Sequence, residues 1–409
     1  MRSAARFALL AGALTLAGGA TPDEQNFSQV QRGRYLAILG DCAACHTAPG
    51  GKAFAGGRPI QTPFGIIVSP NITPDQKTGI GTWSDAQFIR SLQDGVGHDG
   101  EHLYPAMPYE YTTRATRADD LAIRAWLATL PPVSNKVVSD QLPFPLDIRA
   151  SMRVWNALFF TPGVYHPDPG KSAEWNRGAY IVQGLAHCGA CHTPKNILGA
   201  DETSRDLQGA QLQGWFAPNI TNDGRRGLGK WSAQDVVDYL RTGHNRFAAA
   251  SGPMAEEVTL SSSQMSDSDV QDIATYLKSL PGQGDTATAS TAGASTMRVG
   301  AAIYADECSA CHAPNGQGIP GLFPALSGAP SIQSREPTSL IRVVLQGAQS
   351  VATTPAPTGP AMPAFGWMLS DSQIAAVLTY VRQNWGNAGA QVDEGDVSRA
   401  RSSLEQHPG

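Results

Sequence analysis

A chain of 409 residues with 41% hydrophobic and 16% charged residues is long enough for two or three domains, and too apolar to be disordered. Forty-three Gly and 29 Pro mark it as loop-rich rather than membrane-spanning. A formal net charge of −5, with the charges scattered, leaves no basic stripe for nucleic acid.

Residues 1–20 have the pattern of a secretory signal peptide, with Arg2 and Arg6 at the start, an apolar run from Phe7 to Leu16, and Gly18-Gly19-Ala20 before the expected cleavage. The run is short of the ~20 residues that span a bilayer. Export to the periplasm is the expectation, with 28 basic and 35 acidic residues left on the mature chain.

Residues 21–132 form the first predicted domain. A helical stretch with Gly33 and Tyr35 leads into Cys42-Ala43-Ala44-Cys45-His46. Ser84-Asp85-Ala86-Gln87 is a capping box, and Ile123, Trp126, Leu127 and Leu130 form an i, i+3, i+4, i+7 stripe that Pro131 stops. Residues 133–172 are a Pro-rich connector. Its Met152, Val154, Trp155, Leu158, Phe159 and Phe160 point to packing against a domain, and Trp155 to Phe160 is also a candidate docking surface.

The second domain, 173–284, repeats the plan with Gly178, Tyr180, Cys188-Gly189-Ala190-Cys191-His192, the stripe Ile273, Tyr276, Leu277, Leu280, and a stop at Pro281. A Gly, Ser, Thr and Ala-rich segment, 285–298, reads as a flexible linker that leaves the third domain the more mobile. That domain, 299–385, has Gly300, Tyr304, Cys308-Ser309-Ala310-Cys311-His312, a capping box at Ser370 to Gln373, and the stripe Ile374, Val377, Leu378, Val381. Residues 386–409 are expected to be a polar tail.

All six cysteines fall in the three Cys-x-x-Cys-His copies. Two thiols that bond the porphyrin vinyls, followed at once by a His beneath the ring, are the attachment signature of c-type haem. A structural zinc site needs four ligands where each copy offers three, a thioredoxin-like pair does not demand the His, and disulfides do not produce three identical local spacings. Three covalent haems are therefore expected. A Gly in each leading helix lets a terminal helix cross closely, so the predicted fold is all-α, three tandem class I cytochrome c domains.

The first two domains are duplicates. Pro70-Asn71-Ile72-Thr73 recurs as Pro218-Asn219-Ile220-Thr221, and Trp83-Ser84 as Trp231-Ser232, both 148 positions on. Met107 and Met254 follow their motif His residues by 61 and 62 positions, and Met362 follows His312 by 50. That register marks the three as sixth ligands of iron, with Met265 and Met368 as alternates. His98 and His244 also correspond and are read as residues near a haem edge. The Pro324 carbonyl is placed to orient His312.

Gly40-Asp41-Cys42-Ala43-Ala44-Cys45-His46-Thr47, Thr62-Pro63-Phe64-Gly65, the two Pro-Asn-Ile-Thr segments, Pro105-Ala106-Met107-Pro108-Tyr109 and Asn176-Arg177-Gly178-Ala179-Tyr180 carry a family resemblance. Over nearly the whole mature chain it resembles the three-haem cytochrome c subunits of bacterial membrane-associated dehydrogenases, which serve alcohol, gluconate, sorbitol, fructose and some aldehyde dehydrogenases. The resemblance implies His46, His192, His312, Met107, Met254 and Met362 as axial ligands. It also implies a catalytic partner carrying flavin, pyrroloquinoline quinone or molybdenum, and ubiquinone or a cytochrome oxidase as acceptor. Some relatives end in a hydrophobic anchor, whereas this chain ends polar, so any membrane association is expected to be peripheral. No dinucleotide fingerprint, zinc cluster or nucleophile constellation accompanies the motifs, so the expected role is electron carriage without substrate chemistry. The competing readings are a general periplasmic cytochrome feeding an oxidase, and a multihaem redox enzyme with an open haem site.

Overall fold

The computed structural model describes residues 22–138, 140–282 and 291–406. The expected signal peptide and residues 285–290 of the expected linker lie outside the described residues.

Three helix crossings organise the chain: Pro22–Leu39 on Arg117–Leu127, Ala173–Tyr180 on Asp267–Ser279, and Ala294–Ile303 on Asp371–Gln383. The expected glycines make them possible. A Cβ on Gly33 would lie 1.8 Å from the Ala122 carbonyl oxygen, one on Gly178 2.0 Å from that of Asp272, and one on Gly300 2.3 Å from that of Ala376. Any side chain at these positions would drive the helices apart. The second helix of each pair starts at a hydroxyl cap, Thr116, Ser266 or Ser370, and buries its stripe.

The fold is mostly helical, and the all-α expectation needs one amendment: among the described residues there are three two-stranded antiparallel hairpins. Pro59–Thr62 pairs with Gly65–Val68, Ala210–Leu212 with Trp215–Ala217, and Ala348–Gln349 with Ala361–Met362. The first two occupy equivalent places in the duplicated unit.

The first two units share one continuous core, in which Leu36, Ile123 and Leu127 meet Tyr180, Ile181, Val182 and Ile273. Asp119 accepts hydrogen bonds from Arg32 of its own unit (2.6 and 2.8 Å) and from Tyr180 of the other (2.5 Å). Asp269 accepts from Arg177 of its own unit (2.8 Å twice) and from Tyr35 of the other (2.6 Å). The connector is packed through Met152, Trp155, Phe159 and Phe160, while Val154 and Leu158 stay exposed. Trp155 is 8% exposed against Tyr109 and Ala200, and its indole N–H donates to the Leu198 carbonyl at 2.9 Å.

Two boundaries change. The Ala294–Ile303 helix begins inside the expected 285–298 linker, and the third unit is docked on the second rather than loosely tethered. The Ser339 hydroxyl accepts from the Phe216 N–H (2.8 Å) and donates to the Phe216 carbonyl (3.1 Å), Arg342 lies over the Trp215 ring, and Val351 packs with Ala250 and Val258. The expected polar tail, 386–409, instead holds the helix Glu394–Gln406, which completes the third core through Val397, Ala400 and Leu404, with Val392 just before it. Arg382, wholly buried, clamps this return by donating to the carbonyls of Ala390 (2.9 Å), Ile332 (3.1 Å) and Ser334 (2.8 Å).

Candidate metal centres

Each Cys-x-x-Cys-His motif ends in a short helical turn: Cys42–His46, Cys188–His192 and Ser309–His312. Left-handed residues, Asp41 (φ 47°) and His187 (φ 36°), turn the chain sharply into the first two, and a π-turn over Tyr304–Cys308 leads into the third. Helical spacing i, i+3, i+4 then places both thiols and the imidazole on one face. The six cysteines are free of disulfides and partly buried.

The imidazoles share one arrangement. Nδ1 lies 2.8 Å from the Pro70 carbonyl oxygen in His46, 2.6 Å from that of Pro218 in His192, and 3.1 Å from that of Pro324 in His312, the contact expected there. Nδ1–H donates to the proline, which leaves the Nε2 lone pair for a metal. Burial lowers the pKa of all three rings and so favours the neutral, ligating form.

The accepting carbonyls are themselves held. The Asn71 side chain accepts from the Thr73 N–H (2.9 Å) and hydroxyl (2.7 Å), and Asn219 does the same with Thr221 (2.7 and 2.8 Å). These Asx turns explain the recurring Pro-Asn-Ile-Thr: proline presents the carbonyl and asparagine locks the following backbone. Three glycines missed in the sequence complete the cradle. The N–H groups of Gly56, Gly209 and Gly318 bond the backbone carbonyls of His46 (2.8 Å), His192 (2.7 Å) and His312 (3.0 Å). All three glycines have positive φ. They lie 10, 17 and 6 residues after their His, so unequal loops hide the equivalence.

Burial disfavours the thiolate at five of the six cysteines. Burial pushes Cys42 and Cys188 up to about 12 and Cys45, Cys191 and Cys308 up to about 11. Among the described residues, no three His, Cys, Asp or Glu side chains are grouped to hold a metal ion. Two thiols and one oriented imidazole per turn, repeated three times, fit a covalently held haem, whose iron needs only that imidazole from the proximal side.

Met107 lies in the turn before the short helix Tyr109–Thr112, Met254 is the second residue of the helix Pro253–Leu260, and Met362 lies in the last hairpin. All three are partly buried. Of the alternates, Met265 is 3% exposed in the shared core, and Met368 is 40% exposed. The His98 Nδ1 is 2.8 Å from Asp99, and the His244 Nδ1 is 3.1 Å from the Thr242 carbonyl.

The Cytochrome c family model matches residues 176–281 and 298–385. The chain is 39% identical to the gluconate 2-dehydrogenase cytochrome c subunit of Pantoea cypripedii, over 98% of this chain and 96% of that one. It is 38% identical to the alcohol dehydrogenase (quinone) cytochrome c subunit of Gluconacetobacter polyoxogenes, over 98% of this chain and 89% of that one. With the fructose dehydrogenase cytochrome subunit of Gluconobacter japonicus the identity is 39%, covering 95% and 86%. With these likenesses spanning almost the full length and the attachment turns built as described, the chain belongs to the family of dehydrogenase cytochrome c subunits.

Proposed function

We propose that this protein is the electron-transfer subunit of a dehydrogenase complex and carries three covalent c-type haems, one in each of three tandem cytochrome c domains. The observation that carries the reading is the threefold recurrence of a motif imidazole fixed through Nδ1 by a proline carbonyl. Haem supplies one-electron redox chemistry when bound. Cys42 and Cys45, Cys188 and Cys191, and Cys308 and Cys311 attach it. His46, His192 and His312 hold the proximal position, and Met107, Met254 and Met362 the distal one. The Pro70, Pro218 and Pro324 carbonyls keep each imidazole in one tautomer and one orientation.

The donor is a separately folded catalytic subunit with flavin, pyrroloquinoline quinone or molybdenum, oxidising an alcohol, sugar, sugar acid or aldehyde; the acceptor is ubiquinone or a terminal oxidase. The protein works in the periplasm, at the face of the inner membrane. Among the described residues no helix is long and apolar enough to cross a membrane.

Intact mass of the protein made with cytochrome c maturation machinery tests the haem count, and carbon monoxide tests coordination. Three haem additions, and a reduced spectrum unchanged by the gas, are expected. Two additions overturn the count, and gas binding at one iron points to a redox enzyme with an open site.

A further inference from the structure

In the first two units, the segment bearing each distal-ligand candidate is mounted on the attachment turn of the opposite unit. The helix Pro253–Leu260, with Met254 at its second position, packs on the turn Cys42–His46. Arg58 makes the joint: Nη1 donates to the Ala44 carbonyl inside that turn at 2.6 Å, and the guanidinium grips Glu256 in a two-pronged ion pair, with Nη2 2.7 Å from Oε2. Glu256 is two residues beyond Met254.

The reverse joint has the same logic. Lys195 donates to the Gly189 carbonyl inside the turn Cys188–His192 at 3.2 Å and pairs with Asp201. The Tyr111 hydroxyl, four residues beyond Met107, donates to Asp201. Its phenol lies so close that a Cβ on Gly189 would come within 2.6 Å of the oxygen. Each attachment turn therefore presents a carbonyl-bound cation paired with a carboxylate, and each pair is completed by a side chain from just beyond a methionine of the other unit. On the first turn the carboxylate itself comes from the other unit; on the second, the tyrosine does.

From this reciprocity we propose that Arg58 and Tyr111 are positioning residues for the distal ligands, Arg58 bracing Met254 and Tyr111 bracing Met107, so that ligation in each unit depends on the fold of the other's attachment turn. The inference rests on the ligand assignment made above. A bidentate guanidinium bond to a carboxylate is directional as well as attractive, and its second anchor on a backbone carbonyl leaves Glu256 little freedom. Without it the Pro253–Leu260 helix loses its polar tie to the neighbouring unit, and the thioether it carries is held less well.

The test uses the full-length holoprotein with Arg58→Gln, and with Glu256→Gln as the milder second variant. The readouts are the sulfur-to-iron charge-transfer absorption of the oxidised protein, the three midpoint potentials, and carbon monoxide binding after reduction. Each variant is expected to lose part of one haem's share of the absorption, to shift one couple negative, and to gain gas binding at one iron. In a Met254→His background Arg58→Gln should add nothing, because the ligand it braces is gone. Tyr111→Phe should affect a different couple, and in a Met107→His background it too should add nothing. Variants that retain three haems with spectrum and potentials as in the parent overturn the brace, as does an Arg58→Gln effect that persists undiminished in Met254→His. If Met254→His itself leaves the absorption unchanged, the ligand assignment falls and the brace with it.

Discussion

Tyr180 of the second unit donates to Asp119 of the first at 2.5 Å, while the carboxylate it meets already holds Arg32 of its own unit. Tyr35 and Asp269 repeat the exchange in the opposite direction. A hydrogen bond to a charged acceptor contributes about 1.5–3 kcal/mol, so Tyr35→Phe and Tyr180→Phe should each lower stability by roughly 2 kcal/mol. The shared core remains, so the fold should survive. These bonds link two motif-bearing units, each of which carries a haem in the proposed assignment, so the Soret circular dichroism couplet should shrink in the double variant more than thermal stability alone accounts for. An unchanged couplet would mean that the apolar core sets the angle unaided.

Asn71→Ala should raise the potential of the first haem. The Asx turn fixes the Pro70 carbonyl against His46 Nδ1, a bond that makes the imidazole a stronger donor and favours the oxidised iron. Loosening it removes part of that donation. Asn219→Ala should do the same for the second haem, and redox titration that resolves the couples is the measurement.

At the Gly300 crossing, Gly300→Ala brings a methyl to within 2.3 Å of the Ala376 carbonyl oxygen. Overpacking of this kind costs about 1–3 kcal/mol. Stepwise denaturation should show the third unit unfolding earlier while the first two, with their own crossings intact, unfold as in the parent.

Asp120 provides a pH test. It is fully buried, accepts from the Gln93 amide nitrogen at 2.6 Å through one oxygen, and leaves the other without a hydrogen bond. Burial raises its pKa to about 7, the Asp119 charge adds to the rise, and Gln93 and Arg117 oppose it. A raised folded-state pKa means stability present in full below the unfolded value of about 4 and lost as the pH climbs through about 7. Asp120→Asn should therefore be more stable than the parent at pH 8, by on the order of 2 kcal/mol, with the advantage fading at pH 4. Urea midpoints at the two pH values decide it.

The helix crossings were legible because a glycine in a helical run and an apolar stripe are both local signals, and their pairing recurs three times. The motif histidines were equally plain. The tail was not. Val397, Ala400 and Leu404 sit at helical spacing, but Arg401 occupies the remaining place in the stripe, and the intervening residues are Ser398, Arg399, Ser402 and Ser403. Arg401 faces inward because Asp371 (2.8 Å) and the Leu369 carbonyl (3.0 Å) receive it, partners remote in sequence. Tyr35 and Tyr180 were visible as repeated aromatics, yet a single strand of text does not say that each reaches across to the other unit. Tyr304 looked like their third copy but bonds the Ala313 carbonyl of its own motif at 2.7 Å, because it lies four residues beyond its glycine rather than two.

The returning C-terminal helix also bears on the order in which the protein is made. Synthesis delivers Cys308, Cys311 and His312 about eighty residues before Val392 and Val397, the last wall of the third core. During that interval the third motif belongs to a core without its last wall, whereas the first two units already possess both crossing helices. The third core therefore closes last, once the final helix of the chain has been made.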